Sequence, residues 1–75
     1  MEMSLFDLPL NCKGRITKLN CSGATKRRLL DLGLINGTSI TPILISPSGD
    51  PVAYEVRSSV IALRKEVSEC INVSK

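Results

Sequence analysis

A chain of 75 residues carrying a net charge of +3, with 43% hydrophobic and 23% charged residues, reads as one globular domain and not as a disordered segment. At this size folding buries only roughly 60% of the unfolded chain's surface, so a single core supplies the stability and little is left for a deep enzyme cleft. The chain has no His, the side chain best suited to acid–base chemistry near neutral pH.

The charge is unevenly spread. Lys13, Arg15, Lys18, Lys26, Arg27 and Arg28 occupy a window without a single acid, and all seven acids fall outside it. Such a side can meet an acidic partner, nucleic acid or anionic lipid, or it can be a solvated face. Cys12, Cys21 and Cys70 make an odd count with no C-x-x-C pair, which argues against a disulfide framework. The start, MEMSLFDLPLN, carries Glu2 and Asp7 and lacks the long apolar run of a signal peptide. No segment approaches the roughly 20 apolar residues that span a bilayer. The expectation is a cytoplasmic protein with reduced thiols and no direct membrane insertion.

In chain order, residues 4–11 alternate weakly and meet Pro9; Leu5, Phe6 and Leu8 tuck this segment onto the core. Residues 13–19 alternate with a period of two, with Arg15 and Thr17 outward and Ile16 inward, which predicts a half-buried strand. Lys18 and Leu19 break that pattern and predict a bulge or the strand end. Ser22 is placed to cap a helix, and 24–32 hold strong helix formers with no Gly or Pro. Leu29 and Leu32, three apart, share its apolar face. Gly33 suits the left-handed residue that ends a helix, with Leu34 folding back on the last turn.

Asn36-Gly37 is a turn signal, and the β-branched run that follows predicts a strand over 39–46. Pro42 cannot donate to a ladder, so this strand lies at an edge or bends at a bulge. Pro47-Ser48-Gly49-Asp50 is hairpin chemistry. Val52, Tyr54 and Val56 then face one side of a strand, with Ala53 and Glu55 on the other. Ser58-Ser59 turns the chain, VIALR is a short strand, KEVSEC one helical turn and INV a closing strand. Short strands joined by tight turns predict a mainly β fold, a small barrel whose closure removes exposed edges.

Chemistry is sparse. No nucleophile–base pair can be assembled, so no catalytic residue and no enzyme are expected. SGATKRR lacks the second Gly of a phosphate loop; its helix start can still favour an anion, or be no more than a capped helix. Cys12 and Cys21 bracket a strand about 25–30 Å long, too far apart for a shared metal, and each reads as a small buried hydrophobe. Only Phe6 and Tyr54 are available as stacking platforms, which leaves nucleic-acid binding to charge alone.

RRLLDLGLINGT, then SPSGDPVAYEVRSSVIALRKE, then a closing I-N-V resemble the FeoA family, small cytoplasmic proteins associated with bacterial ferrous iron uptake. The matching positions are Arg28, Leu29, Leu32, Gly33, Leu34, Gly37, Thr38, Gly49, Asp50, Pro51, Ala62, Leu63, Arg64 and Lys65. One departure is Ser58-Ser59, where the family often has Gly. The resemblance implies an SH3-like β-barrel with a short helical insertion after the first strand, with 1–75 as one FeoA-type domain. It implies no enzyme site, no cofactor and no established metal site. Its partner would be FeoB, the membrane iron transporter with a cytoplasmic GTPase region. The same barrel occurs as a C-terminal domain of metal-dependent repressors, but no DNA-binding part is present and no nucleic-acid partner is expected. The partner-binding candidates are Lys26, Arg27 and Leu30. Leu30 follows Leu29 and points to another side of the helix, so a Leu beside cations makes a docking patch for the transporter or an adjoining copy of the chain. Alternatively it covers a neighbouring loop. A nucleic-acid-binding barrel and a Cys-dependent iron carrier are the rival functions.

Overall fold

A computed structural model describes residues 2–75. In chain order it contains β1 (Glu2–Ser4), a single 3-10 turn (Leu5–Asp7), β2 (Gly14–Leu19), α1 (Gly23–Asp31) and β3 (Ser39–Ile45). There follow β4 (Val52–Val56), β5 (Ser59–Leu63), α2 (Lys65–Ser68) and β6 (Ile71–Ser74). Every strand predicted from the sequence is present within a residue or two. The addition is β1, three residues that the alternation rule is too coarse to detect. The helix therefore follows the second strand, not the first.

All pairings are antiparallel, in the order β1-β6-β2-β3-β4-β5. The break expected at Lys18 is real: the β2–β6 register shifts between Ile16 and Lys18. Pro42 is accommodated by the same device. β3 pairs with β2 only at Ser39 and Ile40, then passes to β4 from Thr41 onward, with a register shift between Pro42 and Leu44. At Pro42 the strand has already left β2, so the missing N–H costs no ladder bond. Its carbonyl instead accepts from the Asn11 N–H at 2.7 Å.

The fold is SH3-like, but the barrel is not closed. β1 and β5 end the sheet and do not pair with each other. α2, which follows β5 directly, packs instead against the 3-10 turn that follows β1. Side chains bridge this seam: the Tyr54 hydroxyl donates to Ser68 Oγ at 3.2 Å, and Ser4 Oγ donates to the Ser68 carbonyl at 3.4 Å. The core inside comprises Leu5, Leu8, Ile16, Leu29, Leu34, Ile40, Val52, Tyr54, Val56, Leu63, Ile71 and Val73. The predicted inward faces of β2 and β4 and the tucked N-terminal segment are thus correct, although Phe6 is only half-buried and lies beneath the Lys65 ammonium.

The expectation of three reduced thiols is overturned. Cys21 and Cys70 form a disulfide, with Cα atoms 5.2 Å apart, and only Cys12 is free. Forty-nine residues separate the pair in sequence. Cysteine counting cannot see such a pair, because the sheet creates the proximity.

Candidate partner-docking surface

α1 begins where β2 leaves the sheet. Cys21 is buried beside the core, and the next seven residues, 22–28, are all exposed. Ser22 occupies the N-cap with extended backbone, but its side chain makes no capping bond. The other end is well defined. The Gly33 N–H donates to the Leu30 carbonyl at 3.0 Å and the Leu34 N–H to that of Leu29 at 3.0 Å, with Gly33 at φ +89°. This is the paired Schellman arrangement, and the buried Leu29 and Leu34 supply its apolar contact.

Lys26, Arg27 and Leu30 all stand on the exposed side of α1. The i,i+3 and i,i+4 spacings bring them to one face, with Leu30 44% exposed. Leu30 therefore leaves a substantial part of its side chain open to solvent. Among the described residues no carboxylate lies within ion-pair distance of Lys26, Arg27 or Arg28; the ion pair present is Arg64 with Asp50, at 3.9 Å. The result is a cationic patch with an apolar centre, a composition suited to a partner surface that is acidic at its rim and apolar within.

Two further apolar residues near the end of α1 are exposed, outside the Lys26–Arg27–Leu30 face. Leu32 was expected on the core face with Leu29, but it is 48% exposed, and Ile35 is 44% exposed. Leu32 is the C-cap, where the helical period stops applying. With Thr25, Arg28 and Leu29 it forms one wall of a groove of about 390 Å³; Ile61, Leu63, Arg64 and Val67 form the other. The basic window of the sequence is divided by the fold. Lys13 and Arg15 line a separate depression of about 320 Å³ with Asn36, Ser39 and Lys75, and no α1 cation reaches it.

The short motifs are explained mainly by the fold. Asp50 Oδ1 accepts from the Lys65 N–H at 2.9 Å and so caps α2 from the β3–β4 hairpin, while its other oxygen faces Arg64. Thr38 is buried; its hydroxyl donates to the Gly33 carbonyl and accepts from the Ile35 N–H, both at 3.2 Å. These contacts hold the helix exit against β3. Among the described residues there is no group of three or more His, Cys, Asp or Glu side chains placed to hold a metal ion.

The FeoA domain family model matches residues 3–75. This chain belongs to the FeoA family. It is 30% identical over 71 residues to an Fe(2+) transport protein A/Fe(2+) transporter FeoB fusion protein of Porphyromonas gingivalis. That match covers 95% of this chain but only 8% of the fusion protein. The solution structure of FeoA from Chlorobium tepidum shares 29% identity and a TM-score of 0.90, covering 96% of this chain and 69% of that one. FeoA of Stenotrophomonas maltophilia, solved with zinc and described as a prokaryotic SH3 domain protein, gives 28% identity and a TM-score of 0.81. There the coverage is 96% of this chain and 89% of that one. FeoA domains are accessory, transport-associated units linked to ferrous iron uptake.

Proposed function

We propose that residues 1–75 form one FeoA-type domain that serves ferrous iron uptake without catalysis, by docking to the cytoplasmic side of an FeoB-type transporter through α1. The carrying observation is the Porphyromonas gingivalis protein in which the two parts are one chain. Covalent linkage raises the effective concentration of a domain for its partner to the millimolar range, so a fused pair needs little intrinsic affinity. Any affinity that linkage does not supply must come from the domain's own surface. Among the described residues Lys26 and Arg27 have no acidic partner, and they flank the exposed Leu30. Iron is the transporter's cargo in this reading, not a ligand of the domain. A second copy of the chain is the other occupant that this patch fits.

The test is an NMR titration of the isotope-labelled chain with the cytoplasmic GTPase region of its transporter, with and without a GTP analogue. Shifts confined to residues 24–35, weakened roughly tenfold by Leu30→Asp with folding unchanged, are expected. Compact shifts elsewhere would overturn the α1 assignment while keeping the transporter. Absence of shifts at millimolar concentration would overturn both, and a shift that appears only with increasing concentration of the chain alone would replace the transporter with self-association.

A further inference from the structure

The two ends of α1 are secured in different ways. The C-terminal end has the Schellman bonds and the buried pair Leu29 and Leu34. The N-terminal end has none of this. Residues 22–28 are exposed, the N-cap side chain makes no bond, and the first turn holds no acid to complement the helix dipole. A helix of nine residues is too short to persist alone in water, and the glycine at its first position weakens it further. What holds this end is the Cys21–Cys70 disulfide, directly before the N-cap. One residue earlier, the Asn20 N–H donates to the Cys70 carbonyl at 2.7 Å, a bond that does not depend on the sulfurs.

We propose that Cys21 and Cys70 form a reversible thiol–disulfide site that sets whether the cation-bearing N-terminal half of α1 is ordered. The reactant class is a small thiol or the dithiol of an oxidoreductase. Cys21 is only 8% exposed, whereas Cys70 is half-buried, so Cys70 is the more accessible residue of the pair and the one assigned to receive the attack. An incoming thiolate bonds to Cys70 Sγ, the Sγ–Sγ bond breaks, and its electron pair leaves on Cys21, which takes a proton. A second thiolate then bonds to the incoming sulfur and releases Cys70, also protonated. Two protein thiols and one external disulfide replace one protein disulfide and two external thiols. The effect is local because the Asn20–Cys70 backbone bond fixes the chain up to Asn20 and the Schellman cap fixes it from Leu29 onward. The segment between them carries Lys26 and Arg27. The consequence for docking rests on the transporter-binding reading; the ordering of the helix does not.

The experiment uses the Cys12→Ser chain, which leaves only the two cysteines in question, equilibrated in glutathione buffers from fully oxidising to fully reducing. Alkylation followed by mass measurement counts the thiols, and amide exchange reports order residue by residue. The expected result is a reversible gain of two thiols without denaturant, with exchange over residues 24–28 accelerated roughly tenfold or more and β2 and β4 changed by less than about twofold. The Cys21→Ser, Cys70→Ser double variant should show the reduced pattern in every buffer. A disulfide that resists reduction until the chain is denatured would make it a permanent staple and overturn the proposal. Unchanged exchange in α1 would do the same, as would a loss of protection throughout the sheet. These readouts need no partner, so they stand apart from the fate of the transporter titration.

Discussion

Arg57 and Ser58 form the two-residue loop between β4 and β5, with φ of +50° and +72°. Positive φ at both central positions is the type I′ pattern, which suits the twist of a hairpin but strains any residue with a Cβ. From the sequence the turn is expected one residue later, at Ser58-Ser59, where the family resemblance implies Gly. The register decides the matter: Val56 pairs with Ser59, so Ser59 already belongs to the strand. Ser58→Gly should relieve the strain and raise stability by about 0.5 kcal/mol, after the added freedom of the unfolded chain is offset. Urea unfolding of the two chains measures this; a lower midpoint for the glycine variant would contradict the turn assignment. Asp50 makes the same point about legibility. Its place in a turn was readable from Pro47-Ser48-Gly49-Asp50, but its capping of α2 joins residues that only the fold brings together.

At the scale of the element, α1 was visible in the sequence as a run of helix formers bounded by Ser22 and Gly33. Its end was read more accurately than its start. Gly33 adopts the left-handed conformation expected of it, and the bonds from Gly33 and Leu34 satisfy the last carbonyls. Ser22 stands at the right position without making the expected bond. Replacing Gly33 by Ala should cost about 1 kcal/mol, because the Cβ meets open space but the φ of +89° is unfavourable for it. Thermal unfolding reads this loss, and faster amide exchange at Leu34 should accompany it. The period of the helix correctly buried Leu29 and wrongly buried Leu32. Period alone cannot tell where the sheet ends, and at Leu32 there is groove rather than core.

Across the whole molecule, the seam between β1 and β5 is bridged by side chains. Tyr54 is buried with its hydroxyl on Ser68, and Ser68 in turn receives the Ser4 hydroxyl on its carbonyl. Burial raises the Tyr54 pKa above the usual 10.0, the Ser68 hydroxyl pulls it part of the way back by turning to donate to the phenolate, and the charge of Asp50 adds to the rise. The folded chain thus keeps the phenol proton at a pH where the unfolded chain loses it. Stability from this group is complete below about pH 10 and falls as pH climbs from there through the raised folded value. Urea midpoints between pH 8 and pH 11 should show this decline. Tyr54→Phe should lessen it while lowering stability near neutrality by about 1 kcal/mol through the lost hydrogen bond. An equal alkaline decline in both chains would remove Tyr54 as its cause.

By itself the sequence determined which segments are strands, where α1 ends, which faces of β2 and β4 point inward and which family the motifs resemble. These properties depend on residues a few positions apart: an alternation of two, a glycine that tolerates positive φ, a proline that cannot donate. The tertiary structure alone decided that β1 joins β6, that the barrel stays open at the Tyr54–Ser68 seam, and that Cys21 meets Cys70. It also divided one basic window into two surfaces and left Leu32 exposed. Each of these depends on contacts between distant segments. Their closeness is set by how six strands fit around one core, and no local rule contains that information.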